Sequence, residues 1–318
     1  MKSYKGTAML LLAAFIWGMA FAAQEIAAEA VSAFTFNAVR SYFAIGFLGI
    51  LLALRRKGGV ARKTEKPTSK TRKRALLAGL FCGLALFASV NLQQTGIALY
   101  PSGAAASGRA GFLTTTYVVI VALLSFLEGK KIRPVTIAAA FVCLAGLYLL
   151  CVTNGFSGMY AGDILMLGCA LCFSVQIMLV DHFSDIDSTL LSLLQFSTVA
   201  IFSTAGMLLL EKPRLADILT VWVPIAYAGI FSSGVAYTLQ IAGQRTTEPA
   251  PASIAMSMES VFAALGGWVL LGETMSGREI IGCALVFLAV LMAQLPPLPQ
   301  KISVQKDDVR LENQEKRK

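Results

Sequence analysis

The sequence predicts an all-α membrane protein with ten transmembrane helices, arranged as two five-helix repeats of inverted topology. Three observations lead there. Of 318 residues, 56% are hydrophobic and only 14% charged, with a mean hydropathy of +0.69. A soluble domain would carry about 25% charged residues, so most of this surface never meets water. Ten apolar segments of spanning length follow one another along the chain. Stretches of the first half recur in the second at nearly fixed shifts.

A span needs about 20 mostly apolar residues. The segments are 6–24, 34–54, 75–92, 104–127, 135–152, 164–180, 190–210, 221–241, 252–271 and 280–295. Turn formers separate them: Pro101-Ser102-Gly103, Asn154-Gly155, Lys212-Pro213, Pro249 with Pro251, and Ser276-Gly277. Lys2 and Lys5 before an apolar run, with Ala20-Phe21-Ala22 beyond, resemble a signal peptide. The duplication needs that run as its first span, so it is read as retained.

The net charge of +9 is clustered rather than spread over a face, which argues against nucleic acid. Ten bases lie between Arg55 and Arg74, and six between Lys301 and Lys318. With Lys130, Lys131 and Arg133 they fall on the side of the N-terminus, so both termini are expected in the cytoplasm of a cell whose inner or plasma membrane holds the chain. The second half carries a weak or reversed bias (Lys212, Arg214 and Arg278 outside), as an inverted copy would.

Residues 6–15 and Trp17 map onto 162–171 and Phe173. Leu92-Gln93 and Gly96 map onto Leu239-Gln240 and Gly243, and Leu127-Glu128 onto Gly272-Glu273. Five spans per unit force the copies into opposite topology, an architecture frequent among transporters, with the site between the halves near the midplane. The expected divisions are 1–153 (with the basic loop 55–74), 154–295, and a polar tail 296–318.

Several stretches together resemble the drug/metabolite transporter superfamily in its EamA-type branch. They are Trp17-Gly18, Ser107-Gly108-Arg109-Ala110-Gly111-Phe112-Leu113-Thr114, Ala252-Ser253-Ile254, Met258-Glu259-Ser260-Val261-Phe262-Ala263-Ala264, Leu270-Leu271-Gly272-Glu273, Gly282 and Leu285. The resemblance runs over the chain up to the tail. It implies a ten-helix carrier, usually an exporter of metabolites or amino acids from bacteria, that hydrolyses no ATP. The family's fourth and ninth spans often carry a proline; Thr116 or Tyr117 and Ser260 stand in those neighbourhoods here, which leaves a kink open.

Charge inside a span is the first functional flag, because it costs about 2.5–3.5 kcal/mol at a helix centre. Glu259, mid-span, could exchange a proton or hold a substrate ammonium; the alternative is a structural pair with Arg109 or Arg40. Arg40 could bind a carboxylate or phosphate, or snorkel to the outer interface. Arg109 could line the cavity mouth or remain an interfacial charge. Asn91, Gln176, Tyr237 and Gln240 could face an aqueous cavity fit for an amino acid, or bond across helices at about 0.6–2 kcal/mol each. Trp17 and Trp268 could wall that cavity; the alternative is packing or an interfacial belt. Glu128 and Glu273 read as helix-end features.

No GxxxxGK[ST], HExxH or GxSxG occurs. Six cysteines lie in apolar stretches and the single His182 sits beside Asp181, Asp185 and Asp187, so neither a disulfide framework nor a metal or other cofactor is expected. The reading is a secondary, non-ATP carrier, an exporter of amino acids or related compounds working by alternating access. Its partners are the lipid bilayer, a small-molecule substrate and a candidate coupling proton; a homodimer is open. The alternatives are a channel or scaffold, and further off an intramembrane enzyme.

Overall fold

The computed structural model describes residues 4–57, 69–100, 106–152, 160–271 and 276–295, with backbone alone for 56, 106–109 and 266–271. Among them every regular element is helical. The first half comprises α1 (Tyr4–Ala28), α2 (Ala33–Lys57), α3 (Ser69–Ala98), α4 (Ala106–Thr115), α5 (Tyr117–Leu127) and α6 (Pro134–Cys151). The second comprises α7 (Ala161–His182), α8 (Ser188–Leu210), the short α9 (Leu215–Thr220), α10 (Trp222–Tyr227), a π-helical stretch Ala228–Ala236, α11 (Tyr237–Gln244), α12 (Pro249–Met256), α13 (Met258–Leu271) and α14 (Gly277–Gln294). Nine stretches among the described residues are long and apolar enough to cross a membrane. The remaining predicted pass, 252–271, is α12 and α13, interrupted at Ser257.

Helix starts follow local chemistry. Pro134 and Pro249 open α6 and α12, where a missing N–H costs nothing. Asp187 accepts from the backbone N–H groups of Thr189 and Leu190 at the start of α8, and Ser276 with Glu279 forms a capping box on α14. Glu211, just past α8, caps α2 from the other half: its carboxylate accepts from the Phe34 and Thr35 N–H groups at 2.9 and 2.8 Å and from the Thr35 hydroxyl at 2.6 Å.

Both ends of the described chain lie on one face, where Thr7 donates to Gln294 at 2.9 Å. The same face holds Arg74–Asp185 at 3.0 Å and Lys130–Asp181 at 2.7 Å. Two more arginines bind carbonyls there: Arg245 donates to Ile186, and Arg133 to Ala293 and Leu295. The Asp-rich turn around His182 is thus committed to ion pairs and a helix cap. No cluster able to hold a metal occurs among the described residues.

Glycine contacts trace the relation between the halves. A Cβ on Gly6 would lie 2.9 Å from the Gly243 carbonyl oxygen, and one on Gly162 would lie 2.8 Å from that of Gly96. Gly243 meets Leu10, as Gly96 meets Met166. These are the residues the sequence shifts pair, so the α1–α11 crossing and the α7–α3 crossing are copies of each other. Close backbone approach through small residues is how membrane helices associate where lipid supplies no hydrophobic drive. Gly146 and Gly282 pack α6 on α14 the same way.

The spans outrun their apolar windows. α3 begins six residues before its predicted start and ends six after its predicted end, because polar residues at span ends reach the interface without breaking the backbone ladder. The basic loop lies largely, and the tail and the 153/154 join wholly, outside the described residues.

Candidate functional site

A cavity opens between the two halves. Six of the eight residues singled out from sequence line it: Trp17, Arg40, Gln176, Tyr237, Gln240 and Glu259. They come from α1, α2, α7, α11 and α13, so no single element makes the site. The sequence reading did not single out Phe21, Gln24, Thr114, Tyr117 or Ser232, which line it too.

Glu259 is placed by a break in its own pass. At Ser257 the helix tightens: the Ser257 hydroxyl donates to the Ile254 carbonyl at 2.6 Å, and Ser260 N–H bonds back to Ser257. The fourth pass is interrupted at a comparable height, at Thr116, whose hydroxyl donates to the Leu113 carbonyl at 2.6 Å. Ser and Thr bonding back onto the preceding turn bend helices in this way. Both passes are therefore broken without proline. The breaks face each other, with Thr115 and Ser260 hydroxyls 3.4 Å apart and Tyr117 Oη donating to Glu259 Oε1 at 3.4 Å. Gly18 lets α1 close on this point, since a Cβ there would lie 2.7 Å from the Glu259 carbonyl oxygen.

Arg40 is 3% exposed and Glu259 8%. Among the described residues neither makes an ion pair, and Arg40 makes no hydrogen bond. Its guanidinium lies over the Phe36 ring at 5.5 Å. Arg40 therefore does not snorkel to the interface, and it does not pair with Glu259. Tyr237 sits between aromatic neighbours, its ring centroid 4.9 Å from Trp17 and 5.2 Å from Phe196. Trp17 donates its indole N–H to the Ser232 carbonyl at 3.2 Å.

That carbonyl belongs to the π-helical stretch. Gly83 of α3 would place a Cβ 2.8 Å from the Gln195 carbonyl oxygen, with Thr198 beside it; Gly229 would place one 2.6 Å from that of Arg40, with Phe43 beside it. The two contacts match residue for residue, pairing Arg40 with Gln195 and Gly83 with Gly229. From Gly83 to Gly229 the shift is 146, whereas from Gln93 to Gln240 it is 147. One extra residue lies between, which is what a π-bulge inserts, and such insertions concentrate at functional sites. A carbonyl within it accepts the indole N–H; in the other copy Phe173, whose ring has no N–H, packs beside an uninterrupted α3.

Asn91 does not line the cavity. Its amide accepts from Asn37 at 3.1 Å and donates to the Phe87 carbonyl and the Ser203 hydroxyl at 2.8 and 3.2 Å, tying α3 to α2 and α8. Gln93, two residues on and about 200° around the helix, lines it instead. The side chains of Arg109 and Trp268 lie outside the described residues.

Comparisons with known proteins agree with this architecture. The EamA-like transporter family matches residues 4–152 and, separately, 160–294. A protein of Archaeoglobus fulgidus named as an uncharacterized transporter is 30% identical over 289 residues, spanning 90% of this chain and 84% of its own. A second from that organism, with the same description, is 26% identical over 295 residues, spanning 91% and 98%. A solved crystal structure superposes with a TM-score of 0.73 over 91% of this chain and 96% of its own, at 21% identity, a likeness of fold. With both halves of the chain matched in turn, and a cavity where the two halves meet, this protein belongs to the EamA-like transporter family.

Proposed function

We propose that the chain is a secondary carrier of small metabolites, an exporter of amino acids or related compounds, in which the two halves rock around the central cavity. The units would be 1–153 and 154–295. The carrying observation is that Arg40 and Glu259, a base and an acid, are both buried and line one cavity, neither with an ion-pair partner among the described residues. Unpaired charge inside a span is costly. A substrate bearing an anionic and a cationic group offsets that cost while it is bound. The gathering of Gln24, Gln93, Gln176 and Gln240 around the same space supports a polar cargo, and the Trp17, Phe21 and Phe173 rings would hold its apolar part. The basic flanks support cytoplasmic termini in the cell membrane.

Glu259 is the candidate for proton coupling. In proteoliposomes, Glu259→Gln should fold as the wild type does and abolish uptake driven by a proton gradient. Gradient-driven uptake in that variant at the wild-type rate would remove Glu259 from coupling.

A further inference from the structure

The two repeats differ at a place where the glycine contacts and the sequence shifts match them. In the second repeat, Gln195, Gln176, Gln240 and Gln244 are bonded to one another. Gln176 Nε2 donates to Gln195 Oε1 at 3.3 Å, and Gln240 Nε2 donates to Gln176 Oε1 and to Gln244 Oε1, each at 3.0 Å. Gln244 Nε2 donates onward to the Ile177 carbonyl at 3.0 Å. This amide ladder links α7, α8 and α11, and Gln176 and Gln240 of it line the cavity.

The first repeat carries a different set at the corresponding positions. Arg40 stands where Gln195 stands, by the matched glycine contacts. Gln93 stands where Gln240 stands, by the shift of 147. The same shift puts Ile97 in the place of Gln244, and the shift of 156 puts Ala20 in the place of Gln176. The rungs that join the amides are gone, and one amide has become a guanidinium. Arg40 and Gln93 both line the cavity, and among the described residues neither side chain has a hydrogen-bond partner in the protein.

We propose that Arg40 and Gln93 form the carboxylate subsite of the cavity, with the cationic end of the same substrate at Glu259; this rests on the carrier reading above. A position that served packing alone would do as well with glutamine, as its counterpart does. A guanidinium there incurs a burial cost that an amide avoids, and it offers a planar pair of donors matched to a carboxylate. Gln93 adds an amide donor on the wall of the same cavity. The net charge of the pocket selects the ligand. With Glu259 ionised opposite a bound ammonium, one base and one acid are balanced by a zwitterion, whereas a phosphate dianion would leave excess negative charge next to Glu259. The amide ladder is the mirror of this subsite with its ligand replaced by side chains.

The test uses the full-length protein in proteoliposomes, with counterflow of each of the twenty L-amino acids, and then of the best-transported one against its α-amide, which lacks the carboxylate. The wild type should favour the acid. Arg40→Gln, which gives the first repeat the second repeat's side chain, should raise the half-saturating concentration of the acid about tenfold or more, equivalent to about 1.4 kcal/mol, and leave that of the amide within about twofold. Arg40→Lys should recover part of the preference, and Gln93→Leu should weaken the acid more than the amide. Thermal-shift titration of the purified variants with the same two compounds reads binding without transport. A folded Arg40→Gln protein that still prefers the acid by the wild-type margin overturns the subsite, as does a wild type indifferent to the carboxylate. If no amino acid moves through the wild type, the amino-acid cargo falls and the subsite with it; if amino acids move but the acid and the amide respond alike to all three variants, only the subsite falls.

Discussion

Asn91 and Gln93 separate two jobs that look alike in the sequence. Both are polar residues inside an apolar span, and composition alone treats them the same. Two positions along an α-helix turn the side chain by about 200°, so one faces α2 and α8 and the other the cavity. Asn91 uses its amide on Asn37 and Ser203. Asn91→Ala should therefore lower thermal stability by about 1–2 kcal/mol, the scale of interhelical hydrogen bonds in membranes, and leave half-saturation unchanged. An equal melting temperature with weakened substrate binding would move Asn91 into the site. Arg40 should behave the other way. Removing an unpaired buried charge relieves a cost, so Arg40→Gln should melt at or above the wild-type temperature, as functional residues often do. The charged residues were legible because charge is rare in a span. Tyr117 was not, because a tyrosine in an apolar run is ordinary until the facing break brings it to Glu259.

At the scale of elements, the sequence revealed which segments span and which pairs of segments correspond, but not where helices break. Thr116 and Ser257 interrupt their passes through hydroxyls that bond to carbonyls three residues back, a choice that serine and threonine make only in some contexts. The π-helical stretch was hidden for another reason. A one-residue insertion changes a repeat shift from 146 to 147, which a sequence alignment absorbs as drift. Trp17→Phe tests its role, because it gives the first repeat the phenyl ring that the second carries at Phe173. The variant should fold and melt slightly lower, by about 1 kcal/mol for the lost indole hydrogen bond. The glycine crossings give a sharper element-scale prediction. Gly83→Leu drives a side chain into Gln195 and Thr198 of α8 and should abolish monodisperse protein, whereas Gly46→Leu, where nothing lies within 4 Å of a Cβ, should be tolerated. Size-exclusion profiles of the two variants distinguish them.

For the whole molecule, the ten-pass, two-repeat plan was legible because the bilayer fixes span length and a duplicated gene leaves its register behind. The face carrying both ends is held by ion pairs between repeats, and these give a pH signature. Arg74, hydrogen-bonded to Asp185, holds that carboxyl below the usual carboxylate range. A depressed carboxyl contributes stability above its unfolded pKa of about 3.9 and loses it as pH falls through the folded value. Both partners are about half exposed, so the contribution is small. The melting temperature of Asp185→Asn should fall below wild type at pH 7, and the gap should close toward about pH 3. A gap that persists unchanged at pH 3 would show that the pair does not titrate as described.

The central claim is that the cavity between the repeats is the substrate site of a carrier. Counterflow in proteoliposomes tests it most directly. Vesicles loaded with unlabelled amino acid and diluted into a trace of labelled amino acid should accumulate label transiently above equilibrium, because a carrier exchanges one occupant for another through a single site. The overshoot should saturate with loading concentration and survive Asn91→Ala. Label that only equilibrates, rising in proportion to concentration without an overshoot, would mean an open path through the membrane and would contradict the account.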